Sequence, residues 1–169
     1  MRFVLDGMLG KLTRWLRMMG HDALYLNDAK DRDLVANAVK EDRILLTSDV
    51  ALYRHAVSRG ADAYLMKGRT EAEKLASLAN RFKLDLTVNA ADSRCPVCGS
   101  SLKEASKEDA REKIPATTFN AFSEFWSCSN PECAKVYWQG SHWENIRAVL
   151  EKAKEIQRRT GRTSGASNA

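Results

Sequence analysis

The chain has 169 residues, 44% of them hydrophobic and 29% charged, with 27 Lys and Arg against 22 Asp and Glu, a net +5. That length holds one ordinary domain, or one compact domain plus a small appendage, and buries a core without crosslinks. No apolar run approaches the ~20 residues of a bilayer span, which argues against a membrane protein. The start, MRFVLDGML, lacks the apolar stretch of a signal peptide, so a cytoplasmic location is expected. The mild basic excess favours an anionic partner such as nucleic acid without demanding one.

Residues 2–6 (RFVLD) form a short β-prone run. From Met8 to Met19, the residues Leu9, Leu12, Leu16 and Met19 recur at the spacing of one helix face, and Gly20 supplies the stop. A second strand is expected over 22–26. A helix over 31–41 follows, with Leu34, Val35 and Ala38 inward, and then a strand over 44–47. A helix over about 50–58 ends near Gly60, a strand covers 63–67, and a helix from Thr70 to Phe82 turns Leu75, Leu78, Ala79 and Phe82 to the core. Strands alternating with helices imply right-handed crossovers and a parallel sheet, hence an α/β layer domain. The stretch KLDLTV (83–88) either adds an edge strand or begins a linker.

Beyond residue 90 the character changes. Residues 94–143 hold all four Cys and three of the four Trp. Cys95-Pro-Val-Cys98-Gly and Cys128-Ser-Asn-Pro-Glu-Cys133 read as two knuckles. Paired thiolates in two tight turns complete a tetrahedral four-sulfur site, and clustered Cys without an export signal bind zinc more often than they form disulfides. Four sulfurs leave no open position, so this zinc is expected to be structural. His142 is read as a surface or packing residue. Residues 144–160 return to helical periodicity through Ile146, Val149, Leu150 and Ala153, and 161–169 read as a disordered tail. The expected organisation is an α/β layer domain over 1–88, a zinc ribbon over 89–143 and a C-terminal helix over 144–160.

Asp6 and Asp49 each end a strand, and parallel strands bring their C-terminal ends to one edge of the sheet. Asp31 and Asp33 open the helix preceding the second of these strands, near the same rim. Any one of them alone is explained by helix capping or solvation. Several converging carboxylates would repel unless cations lay between them. Hard oxygen ligands of this kind suit Mg²⁺ or Mn²⁺ and phosphoryl chemistry. Lys11 and Arg14 start one turn from Asp6 and fit a phosphodiester backbone; for Arg17 a solvated helix face is as good a reading. Thr47 and Ser48 either hydrogen-bond a phosphate, orient a carboxylate or cap the next helix. Trp126, Trp138 and Trp143 either stack on bases or substitute for a core in a small ribbon, with packing the favoured alternative.

The run Asp31-x-x-Leu-Val-Ala-x-Ala, followed 18 positions later by the Asp of Leu-Leu-Thr-Ser-Asp, resembles the second half of a PIN-domain nuclease. With FVLDGMLGKLTRWLRMMGHD before it and RCPVCG … FWSCSNPECAKVYWQGSHW after it, the chain is similar over about residues 2–150 to the PIN-like ribonucleases named after the C-terminal part of the Mut-seven exonuclease. The resemblance implies a Mg²⁺- or Mn²⁺-dependent endoribonuclease. Asp6, Asp31 and Asp49 would be the metal-binding carboxylates, with Asp33 an additional candidate. RNA is the implied partner, with ribosome or rRNA association as one form it takes. The competing reading is a non-catalytic RNA- or ribosome-binding module that keeps the fold. A toxin-type nuclease is a third, disfavoured by the ribbon.

Overall fold

The structure is a computed structural model that describes residues 1–165. Its N-terminal part alternates strand and helix: β1 (Arg2–Leu5), α1 (Gly10–Met18), β2 (Asp22–Tyr25), α2 (Asp31–Lys40), β3 (Ile44–Thr47), α3 (Val50–Ser58), β4 (Ala63–Leu65) and α4 (Glu71–Phe82). The strands form one parallel sheet in the order β2-β1-β3-β4, with Leu5 opposite Leu46 and Leu45 opposite Ala63. This is the expected α/β class. β4 is shorter than the 63–67 expected, and a 3-10 turn over Gly7–Leu9 joins β1 to α1.

Strand alternation divides the core between the two faces of the sheet. Phe3, Leu5 and Leu46 join Leu9, Leu12 and Leu16 of α1 and Leu75, Leu78 and Ala79 of α4 on one face. Val4 and Leu45 meet Leu34, Val35, Leu52 and Ala56 of α2 and α3 on the other. Each fully buried leucine contributes roughly 1.5–3 kcal/mol, so both faces hold this layer together. The segment 83–88 is a linker: it pairs with no strand, yet Leu84 and Leu86 are buried in the first cluster.

At the N-terminal edge of the sheet, the buried guanidinium of Arg43 binds Asp22 at 2.9 Å and Glu41 at 2.7 Å and donates to the Phe3 carbonyl. Burial opposes ionisation of Asp22, but the Arg43 hydrogen bonds outweigh it and hold that carboxyl below the usual range. Asp22 is thus committed to a structural ion pair.

His21, beside Phe3 on the same edge, has a buried Nε2 without a partner among the described residues. Burial first, then the Met1 ammonium, push its pKa down to about 4. The unfolded chain therefore binds the extra proton between the ordinary value near 6.5 and about 4. His21 contributes stability in full above the upper value and loses it as pH falls through that window. After discounting for its partial exposure, the loss is on the order of 1–2 kcal/mol. Urea midpoints of the parent and His21→Asn should converge as pH falls from 7 to 4; parallel curves would remove this assignment.

The second part is the cysteine-bearing module. β5 (Leu102–Ala105), β6 (Phe125–Cys128) and β7 (Val136–Tyr137) make a three-stranded antiparallel sheet. Two short helices not foreseen from the sequence, α5 (Lys107–Arg111) and α6 (Ala116–Ala121), lie between β5 and β6. They form a small core around Ala110, Ile114 and Phe125. α7 runs over His142–Gly165, beginning two residues before and ending five residues after the 144–160 expected. Residues 161–165 of the stretch read as a tail are therefore helical, and 166–169 lie outside the described residues. Leu150 and Ala153 of α7 pack into the same cluster as α1 and α4. No helix among the described residues is long and apolar enough to cross a membrane.

Candidate functional site

Two groups of side chains carry chemistry, and they lie at opposite ends of α1. The first is at the C-terminal edge of the parallel sheet. β1 and β3 are adjacent and parallel, so Asp6 emerges beside Thr47, and the Asp6 amide continues the ladder to the Leu46 carbonyl at 3.4 Å. Asp6 is only 6% exposed and Thr47 is fully buried. The Thr47 hydroxyl donates to Asp6 Oδ2 and accepts from the Asp49 amide at 2.9 Å. One hydroxyl thus joins the carboxylate ending β1 to the backbone of the residue that opens α3. Asp6 Oδ1 accepts from the Met8 amide at 2.9 Å, which fixes the carboxylate plane from the other side.

Asp49 is exposed and caps α3: its Oδ1 accepts from the Ala51 and Leu52 amides at 2.6 and 3.1 Å. Its Oδ2 has no donor among the described residues, so one oxygen serves the helix and the other faces outward. Asp31 and Asp33 occupy the first turn of α2, both exposed, with Asp33 3.4 Å from Arg32. Because α2 returns from the end of β2 to the start of β3, its first turn lies at the same edge as Asp6 and Asp49. The three carboxylates Asp6, Asp31 and Asp49 share that edge but do not close into a tight group; among the described residues only the four cysteines do.

The surroundings are built by close backbone approach. A Cβ on Gly7 would stand 2.7 Å from the Asn27 carbonyl, so glycine is required where the β2–α2 loop crosses the turn after Asp6. Tyr25 Oη donates to the Gly7 carbonyl at 2.9 Å and ties the same loop down. Lys11 and Arg14 are exposed on α1 with no ion pair among the described residues, and Ser48 is exposed in the turn before Asp49. The sequence marked Thr47 only as a candidate. The Met8 amide and the Tyr25 tether escaped it because neither leaves a pattern in the chain.

The second group is the cysteine cluster. Cys95, Cys98, Cys128 and Cys133 place their sulfurs within 4.8 Å of one another, with Cys95–Cys133 at 3.7 Å and Cys98–Cys128 at 3.3 Å. Zinc–sulfur bonds of about 2.3 Å in a tetrahedron separate sulfurs by roughly 3.8 Å, so the four thiols can bind a metal such as zinc. The first knuckle closes through the Gly99 amide on the Cys95 carbonyl at 2.8 Å, with Gly99 at φ +83°. The second, longer knuckle is capped by Asn130, whose carbonyl accepts from Cys133 and Ala134 and whose side chain accepts from Glu132. Burial opposes ionisation of Cys98, but donation from Ser100 prevails and lowers its pKa to about 6.

Arg17 anchors this module to α1. Its guanidinium, 7% exposed, donates to the carbonyls of Ala23, Pro96 and Val97 at 2.9, 3.2 and 2.8 Å. Arg17 is therefore not on a solvated face, the alternative left open above: the first knuckle covers it. Ser93 and Arg94 add bonds to the Met18 and Arg17 carbonyls at the same end of α1. The nine residues of α1, roughly 13 Å of helix at 1.5 Å per residue, separate this junction from the carboxylate edge.

Comparison with family models matches the Mut7-C RNAse domain over residues 1–150. The chain belongs to the Mut7-C RNAse domain family. No curated protein and no solved structure matches the chain. Membership assigns it to an RNA-related nuclease family and makes RNA its substrate or partner. A Mut7-C RNAse domain that ends at residue 150 includes both the sheet edge and the cysteine module.

Proposed function

We propose that the protein is a metal-dependent endoribonuclease that hydrolyses RNA phosphodiester bonds at the carboxylate edge, with a structural zinc in the ribbon. The observation that carries the reading is Thr47, buried between the Asp6 carboxylate and the Asp49 amide in a chain of an RNAse family. A threonine needed only to cap α3 would not also have to donate to a buried carboxylate on the next strand. The free Oδ2 of Asp49, the remaining lone pairs of Asp6 and the exposed Asp31 are hard oxygen donors of the type Mg²⁺ and Mn²⁺ prefer. A bound ion there would supply an activated water and neutralise charge at the scissile phosphate. The chain itself holds Asp6 in one orientation through Met8 and Thr47, and offers Lys11 and Arg14 to the phosphates on either side.

The second reading, an RNA-binding module without cleavage, is favoured by one observation: the carboxylates share an edge without closing on a common point. The two readings separate in one assay. With single-stranded RNA and Mn²⁺ or Mg²⁺, the endoribonuclease loses cleavage in Asp49→Asn while RNA binding, read by fluorescence anisotropy, stays within about twofold. Cleavage that survives both that substitution and removal of the divalent ion leaves only the binding module.

A further inference from the structure

A cavity of about 790 Å³ lies between the cysteine module, the start of α7 and the Met18 end of α1. Its volume falls in the range of small-ligand sites, about 300–1,000 Å³. Trp126, Trp138 and Trp143 line it, all half-buried. Trp138 is accounted for by packing, since it lies against the core of Ala110, Ile114 and Phe125. Trp126 and Trp143 belong to none of the three buried clusters, and no ring stacks on either among the described residues. Their indole N–H groups donate to nothing there.

The charges on the wall are of one sign. Arg94, Lys113 and Lys135 line the cavity, together with Gln139 and His142, and no Asp or Glu does. Lys113 and Lys135 are exposed and form no ion pair among the described residues. Two indole faces without partners, beside unpaired cations and a neutral hydrogen-bonding side chain, match a flat π-system that carries an anionic group. A protein partner would require acidic side chains at this spacing and leaves the two free indole faces without a planar group to stack on.

We propose that this cavity binds an unpaired nucleotide of a single-stranded RNA, the base against Trp126 and Trp143 and the phosphate beside Lys113 and Lys135. The proposal rests on the RNA reading above and adds a second grip on the strand. Being at the opposite end of α1 from Asp6, this grip holds RNA away from the scissile bond and sets which strands can reach the carboxylates: those with an unpaired segment beyond the cut.

The test uses the full chain, a fluorescein-labelled 12-nucleotide oligouridylate, and Ca²⁺ in place of Mn²⁺ or Mg²⁺ so that binding is read without cleavage. Trp143→Ala should weaken binding on the order of tenfold, the loss of one stacked base, and Trp143→Phe should restore most of it. Lys135→Ala should flatten the dependence of log affinity on log salt by about one. A blunt RNA duplex of equal length should respond to neither tryptophan substitution. A parent that binds the strand but never cuts it with Mn²⁺ or Mg²⁺ sinks the catalytic reading and leaves this one standing. If Trp143→Ala disturbs the fold, judged by lost metal content, Lys135→Ala alone decides. Parental affinity and salt slope in the folded variants, or equal losses on the duplex, overturn the proposal and leave the cavity to a protein partner.

Discussion

Asp6→Asn should lower the rate of single-stranded RNA cleavage by at least about 100-fold, and Thr47→Val by roughly 10–100-fold. The order matters more than either value. Asp6 is buried and has both oxygens engaged, one by the Met8 amide and one by Thr47. Its amide isostere keeps the shape but removes the charge that a divalent ion needs. Thr47 would not touch the ion; it aims the carboxylate and holds the Asp49 amide. Valine keeps the volume of this fully buried side chain and deletes only the hydroxyl, which costs some stability through the unpaired amide. A rise in the Mn²⁺ concentration needed for half-maximal rate, with partial recovery at high Mn²⁺, is expected of Thr47→Val and not of Asp6→Asn. If Thr47→Val cleaves at the parental rate while folded, the hydroxyl is a cap and nothing more, and the link between Asp6 and Asp49 carries no chemistry.

The second large effect concerns the cysteine module. Reduced protein should carry about one equivalent of zinc, and a strong chelator or Cys128→Ser should unfold residues 94–138 while the parallel sheet stays folded. Structural zinc sites supply folding free energy directly, about 10–16 kcal/mol in small zinc peptides. The buried core here amounts to Ala110, Ile114 and Phe125, too little to hold three short strands on its own. Hydrogen exchange resolves the two parts: amides of β6 lose protection, and those of β1 and β3 keep it because both faces of that sheet have their own packed layers. Loss of the first knuckle also strips the buried Arg17 guanidinium of its Pro96 and Val97 acceptors. Some destabilisation of the C-terminal end of α1 should therefore accompany it. Elemental analysis without zinc, or unchanged exchange in Cys128→Ser, would refute the structural zinc.

Much of this molecule was legible in the chain because its signals are local or periodic. Short β-prone apolar runs and apolar spacing of period 3.6 determined the alternating strands and helices of the first part, and paired Cys spacing determined the thiol cluster. Asp6 and Asp49, each at the end of a strand, led to the expectation of carboxylates at one edge of a parallel sheet, since parallel strands bring their C-terminal ends together. Composition misled at the end of α7: the polar, small-residue stretch after Arg159 carries no apolar stripe, yet the helix continues to Gly165.

The tertiary structure alone decided what depends on neighbours distant in sequence. Thr47 meets Asp6 across 41 positions, a contact fixed by strand register and by nothing in either segment. Arg17 reads as one more cation on an amphipathic helix, and only the docking of a knuckle some 80 positions later makes it a buried anchor. The division of the tryptophans on one cavity wall, Trp138 also packed against a core and Trp126 and Trp143 not, is likewise a matter of what lies beside them. Composition fixes which groups a chain owns; burial and register, set by the whole fold, fix which of them are left free to meet a ligand.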